Sequence, residues 1–122
     1  MLSRWVTFQV RLSAVRFASG SSVVTEAGQA LIDRVVEALS GQDGPVFVVG
    51  FTDNDGNVED NMVLSQARAE AVAEVMVANG IDTERLTIEG RGPQDFIAEN
   101  TTEEGKAANR RVEVWITREA DL

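Results

Sequence analysis

Asp53 and Arg68 are the two residues of this 122-residue chain whose types and spacing could do chemistry as a pair. Arg68 follows Asp53 by 15 positions, inside the Gly- and Pro-free run 61–79 (NMVLSQARAEAVAEVMVAN). At about 100° per residue, Leu64, Ala67, Ala71, Val75 and Ala78 share about a third of a helix circumference, with Gln66, Glu70 and Glu74 opposite. Arg68 projects about 40° from Leu64 and so falls on the buried stripe. A guanidinium there needs an anion or a wet opening, because an unpaired buried charge costs several kcal/mol. Two outcomes are open. Asp53 and Arg68 form a buried salt bridge that fixes a loop, or they hold the two ends of a zwitterion. In the second case Asp53 takes an ammonium and Arg68 a carboxylate, and an amino-acid head group presents both charges within a few ångströms.

Other charged and glycine-rich segments bear on the same question. Asn109-Arg110-Arg111 enters a strand, where adjacent side chains point to opposite faces. One arginine then reaches inward while the other is solvated, and a second guanidinium near Arg68 makes an anion site. The acidic loop 53–60 (DNDGNVED) invites a calcium reading. It fails the twelve-residue EF-hand pattern, because Val58 and Leu64 occupy the places that need Gly and a carboxylate. A solvated turn with Asx caps fits better. Gly90-Arg91-Gly92 follows a strand, but Pro93 removes a backbone donor that a phosphate cradle would use, so a tight turn is expected.

Composition narrows the function classes. The chain has no His, Tyr or Cys, which excludes an imidazole base, a Ser-His pair, a thiolate metal site and a disulfide framework. Its single lysine, Lys106, lies in a polar stretch and is no candidate for a desolvated Schiff-base amine. Enzyme activity is not expected, nor any metal or cofactor. The net charge of −9 repels phosphate backbones and anionic lipid, so nucleic acid and direct membrane insertion are poor prospects. No run approaches the roughly twenty apolar residues of a membrane span. The N-terminal stretch MLSRWVTFQVRLSAVRFA alternates and carries three arginines, unlike a signal-peptide core. The chain reads as one domain over 1–122, a cytoplasmic protein or a piece of a longer exported one.

The elements that must position these residues follow from periodicity. Val6, Phe8, Val10 and Leu12 alternate as a half-buried strand that ends before Gly20-Ser21-Ser22. Thr25 caps a helix running to about Ser40, with Leu31, Val35, Ala38 and Leu39 on one face and Gly41 just past its end. Pro45–Gly50 is a short apolar run, expected as a strand covered on both faces. The long helix ends at Asn79-Gly80. Leu86–Glu89 and Val112–Ile116 alternate as two further strands. Residues 94–108 read as a polar, irregular loop, with Phe96 and Ile97 tucking it onto the core. The order β-α-β-α-β-β predicts an α+β two-layer sandwich, two main helices packed on one face of a mixed four-stranded sheet.

At this point the residues resemble the OmpA-like peptidoglycan-binding domain, found also in Pal-type and MotB-type proteins. The family pattern is Gly-His-Thr-Asp, then Gly, Asn, Leu-Ser and Arg-Ala at fixed spacing. Gly50, Thr52, Asp53, Gly56, Asn61, Leu64, Ser65, Arg68 and Ala69 occupy those places. Gly80-Ile81, Arg85, Gly90, Gly92, Asn100, Thr102, Gly105 and Asn109-Arg110-Arg111-Val112 continue the match, which runs from about Val15 to Ile116. The resemblance implies the same β-α-β-α-β-β fold and a periplasmic or cell-envelope location. It implies non-covalent binding of peptidoglycan through the meso-diaminopimelate of the stem peptide, anchoring a larger protein to the wall. Asp53 would hold the ammonium and Arg68 the carboxylate, with Thr52, Asn61 and Arg110 as supporting contacts. Two positions depart from the pattern. Phe51 stands where the family has His, and Phe96 where it has Pro, with Pro93 three residues earlier. They motivate a second reading, an interaction or structural domain that has lost wall binding.

Overall fold

The computed structural model describes residues 5–121; residues 1–4 of the N-terminal stretch, and Leu122, lie outside the described residues. Eight elements follow in order: β1 (Trp5–Arg16), α1 (Glu26–Leu39), β2 (Val46–Phe51), α2 (Val58–Ala78), a 3₁₀ turn (Thr83–Arg85), β3 (Leu86–Gly92), α3 (Glu103–Asn109) and β4 (Arg111–Asp121). The sheet runs β1-β4-β2-β3. β2 and β3 are parallel, and β4 pairs antiparallel with both β1 and β2. The α+β sandwich on a mixed four-stranded sheet is therefore as expected, with one addition. Residues 103–109 form a third helix where an irregular loop was expected.

Local chemistry explains the boundaries. Thr25 Oγ1 accepts the Gly28 N–H at 3.0 Å and starts α1. α2 begins three residues before the apolar run suggested, because Asn57 caps the Asp60 N–H at 2.7 Å, with Glu59 and Asp60 in the favoured first turn. The short α3 has no apolar stripe and rests on its Thr102 cap, which accepts the Gly105 N–H at 3.0 Å. In β1 the alternation holds as far as a bulge between Arg11 and Ser13. Past it the core face switches parity, to Ser13 and Val15 opposite Val114 and Val112. Phe8, paired with Arg118 at the outer end, stays 47% exposed.

The core lies between the helices and one sheet face. Val15, Ile32, Leu39, Val46, Val48, Val72, Met76, Val112 and Val114 are all essentially inaccessible. α2 does not sit as its sequence pattern suggested. The side it buries is Asn61, Ser65, Arg68, Ala69, Val72, Ala73 and Met76, about one residue step around from the Leu64–Ala71–Val75 stripe, and Ala78 is exposed. Sheet glycines set this rotation. A Cβ on Gly50 would lie 2.0 Å from Ser65 O, and one on Gly90 would lie 2.5 Å from Gln66 N. The helix backbone thus rests directly on β2 and β3, and its small residues face the sheet. Arg68 remains on the buried side, wholly inaccessible.

Among the described residues the opposite sheet face carries no helix. There Arg111 stacks over the Phe51 ring at 4.0 Å and donates Nε to Glu113 at 2.6 Å, and Glu113 also accepts Trp115 Nε1 at 2.9 Å. One of the two adjacent arginines was expected to be solvated, but Arg111 is only 1% exposed and Arg110 9%. Among the described residues no helix is long and apolar enough to cross a membrane.

Candidate functional site

The carboxyl end of β2, the start of α2, the loop after β1 and the end of α3 meet in one small cavity of about 270 Å³. Its lining includes Thr52, Asp53, Asn61, Arg68 and Arg110, together with Ser19, Gly20, Asp55, Gly56 and Leu64. All five residues singled out from the sequence are therefore brought together. Of the others, Asp55, Gly56 and Leu64 come from the β2–α2 loop and α2, and Ser19 and Gly20 from the loop after β1, where Gly20 (φ +68°) makes the turn and only the Gly-Ser-Ser composition marked the break.

Asp53 is fixed from several sides. The Thr52 N–H bonds Gly92 O at 3.0 Å, extending the β2–β3 ladder by one residue. The Thr52 hydroxyl donates to Asp53 O at 2.8 Å. Asp53 Oδ1 accepts the Asp55 N–H at 2.9 Å, the Asx turn expected for the acidic loop. Asn61 Nδ2 donates to Asp55 O at 2.8 Å and fastens that loop to α2. At the rim, Lys106 Nζ lies 3.3 Å from Asp55 Oδ1.

Asp53 pairs with Arg110, however, and not with Arg68. Arg110 Nη1 lies 3.1 Å from Asp53 Oδ2 while its Nε donates to Phe17 O at 3.0 Å, and both partners are almost fully buried. Arg68 spends Nε on Ser21 O (2.8 Å), Nη1 on Phe51 O (3.2 Å) and Nη2 on Ala18 O (3.0 Å). Its plane also stands over the Phe17 ring, 5.5 Å from the centroid. In the free domain Arg68 is thus a clamp that joins the loop after β1 to the end of β2. The simple Asp53–Arg68 salt bridge is not formed.

The electrostatics follow from this arrangement. Two buried guanidinium groups surround one buried carboxylate, while at the rim Lys106 pairs with Asp55 and the exposed Glu103 lies 4.0 Å from Arg110 Nη1. Burial lowers the Arg68 pKa well below the usual arginine range, to about 10; Asp53 opposes that lowering, and Arg110 adds to it. Arg68 stays charged at neutral pH, and among the buried groups of the pocket two cations face one carboxylate. A second carboxylate would balance them. A larger apolar hollow of about 450 Å³ lies between α2 and β3, but its only charged residues are Glu70 and Glu74, so it offers no paired charges for a zwitterion.

The family model described as the OmpA family matches residues 16–110, most of the chain. The chain belongs to the OmpA family. Curated relatives of this OmpA-family domain include the probable lipoprotein YiaD of Escherichia coli, 40% identical over 104 residues, covering 84% of this chain and 48% of that protein. The peptidoglycan-binding protein ArfA of Mycobacterium tuberculosis is 36% identical over 103 residues, covering 84% of this chain and 32% of that protein. The chain thus spans about half the length of these relatives, or less. Among solved structures, the peptidoglycan-associated lipoprotein of Burkholderia pseudomallei superposes with a TM-score of 0.79 at 28% identity, covering 86% of this chain and 89% of that one.

Proposed function

We propose that this OmpA-family domain binds peptidoglycan non-covalently through the diaminopimelate of the stem peptide, and so anchors a cell-envelope protein to the wall. The observation that carries the reading is the charge arrangement of the cavity. Asp53, Arg68 and Arg110 converge on about 270 Å³, and these buried groups are two cations and one anion, with Asp55, Lys106 and Glu103 at the exposed rim. The free end of diaminopimelate is an ammonium and a carboxylate on one carbon. Such a head group matches one acidic and one basic partner, and its carboxylate compensates the surplus cation.

Each residue has a role. Asp53 receives the ammonium, either sharing its Oδ2 with Arg110 or displacing it. Arg110, at 9% exposure, is the first cation that the carboxylate meets, and Arg68 lies fully covered beneath it. A guanidinium carries five N–H groups, and Arg68 uses three nitrogens on loop and strand carbonyls. Its remaining N–H groups are those left for a ligand. Thr52 and Asn61 keep the Asp53 loop in position. The relatives, a probable lipoprotein, a peptidoglycan-binding protein and a peptidoglycan-associated lipoprotein, support the envelope setting.

Sedimentation with purified insoluble peptidoglycan tests the reading. The domain is expected in the pellet and is released by excess free diaminopimelate. Recovery only in the supernatant would favour a domain that keeps the fold without wall binding.

A further inference from the structure

Phe96 and Ile97 stand side by side on the loop between β3 and α3, and they are 43% and 52% exposed. They do not tuck onto the core. The loop that shows them to solvent is nonetheless held by buried groups. Asn109, wholly inaccessible, accepts the N–H groups of Ile97 (2.8 Å) and Ala98 (3.2 Å) on Oδ1. Its Nδ2 donates to Ala98 O and Asn100 Oδ1, both at 2.9 Å. Arg111 donates Nη2 to Asp95 O at 2.8 Å. Asp95 itself sits at φ +51°, a left-handed conformation uncommon for a residue with a side chain. Uncommon backbone persists where its surroundings over-determine it, and such places cluster at functional sites. Here two buried side chains hold it so that two apolar side chains face water, against the ordinary drive to bury them.

The loop is also tied to the cavity. Asn109 and Arg111 hold it, and Arg110 between them reaches Asp53. Consecutive Cα atoms are about 3.8 Å apart, so the anchors of loop and cavity are immediate neighbours in the chain.

We infer that Phe96 and Ile97 form a platform for a pyranose ring of the glycan strand, while the peptide of the same polymer enters the cavity. This rests on the peptidoglycan reading above. A sugar ring offers a face of C–H groups, with hydroxyl and acetamido groups at its edge. Phe96 and Ile97 suit the face, and the exposed neighbours Gln94, Glu99 and Thr101 offer hydrogen-bond partners to the edge. A stem peptide advances about 3.3–3.6 Å per residue, so a few residues keep the sugar at the same end of the domain. Two apolar side chains ringed by polar ones are far short of the roughly 800 Å² per partner of a standard protein interface.

Calorimetric titration of the whole chain with three probes tests the assignment: meso-diaminopimelate, a tripeptide ending in it, and the disaccharide-tripeptide. The disaccharide-tripeptide should bind about tenfold tighter than the tripeptide, the scale of one good aromatic contact. Phe96→Ala should lose that increment while binding diaminopimelate as the original chain does. Its unchanged melting temperature would confirm folding, and in the unsubstituted chain only the disaccharide probe should move the Ile97 and Ala98 amide resonances. An increment that survives Phe96→Ala, or that already appears with the tripeptide, overturns the glycan platform. Absence of binding by all three probes overturns the peptidoglycan reading itself.

Discussion

Replacing Arg68 by Met separates its two roles, clamp and ligand contact. The substitution keeps the apolar stem and removes three hydrogen bonds from a charged donor to the carbonyls of Ala18, Ser21 and Phe51. At about 1.5–3 kcal/mol each, the gross loss is about 4–9 kcal/mol. Removing a poorly solvated charge offsets part of that. The lowering to about 10 corresponds to about 3 kcal/mol. A net destabilisation of about 3 kcal/mol follows, within the 5–15 kcal/mol that a domain has to lose. It would lower the melting temperature by roughly 10–15 °C. Thermal unfolding followed by circular dichroism reads the stability, and amide spectra read the loop. Resonances of Ala18 to Ser22 should shift or broaden in Arg68→Met. Arg68→Lys keeps a charge but cannot span three diverging acceptors, so it should disturb the same loop while retaining part of the ligand affinity. A melting temperature within 2 °C of the original in Arg68→Met, with those amides unmoved, would refute the clamp.

Other expectations follow from the same contacts. Gly50→Ala puts a methyl 2.0 Å from Ser65 O, and since backbone cannot yield as a flexible side chain does, a loss above about 4 kcal/mol or insoluble protein is expected on expression. Phe51→His buries an imidazole under the Arg111 guanidinium, which stands 4.0 Å over the Phe51 ring. Both burial and that cation disfavour imidazolium, so the unfolded state binds the extra proton and chemical denaturation should show stability falling as pH drops through about 6.5. For binding, a ligand carboxylate favours charged Arg68. Affinity measured by calorimetry should therefore hold around neutral pH and fall as pH rises toward about 10, where deprotonation of Arg68 at its lowered value and of the ligand ammonium act in the same direction. The chain has no His, so a sharp break between pH 6 and 7 would contradict this site.

Much of this was legible in the residues, and the exceptions have physical causes. α1 and the strands carried their own signals: a Thr25 cap, a Gly41 stop and clean period-two runs. α3 carried no apolar period, so only Thr102 followed by Glu103 and Glu104 announced it. The face of α2 could not be read from α2 alone, because Gly50 and Gly90 on other strands decide how closely it approaches. At the site, residue types and spacing identified Asp53 and Arg68, the family resemblance added Thr52, Asn61 and Arg110, and all five line one cavity. The partner of Asp53 was not legible. Two arginines competed for it, and the choice depended on carbonyls of the loop after β1 that satisfy Arg68 first. Phe96 and Ile97 looked like core residues by composition. Their exposure follows from the loop hydrogen bonds to Asn109 and Arg111.

The central claim is that Asp53, Arg68 and Arg110 take an amino-acid head group of the wall peptide. Titration of meso-diaminopimelate into the isotope-labelled domain, followed by amide and arginine side-chain resonances, tests it most directly. Saturable shifts should concentrate at Thr52, Asp53, Asn61, Arg68 and Arg110, and Asp53→Ala should abolish them while the fold persists. Shifts that do not saturate, that gather elsewhere, or that survive Asp53→Ala would contradict the claim.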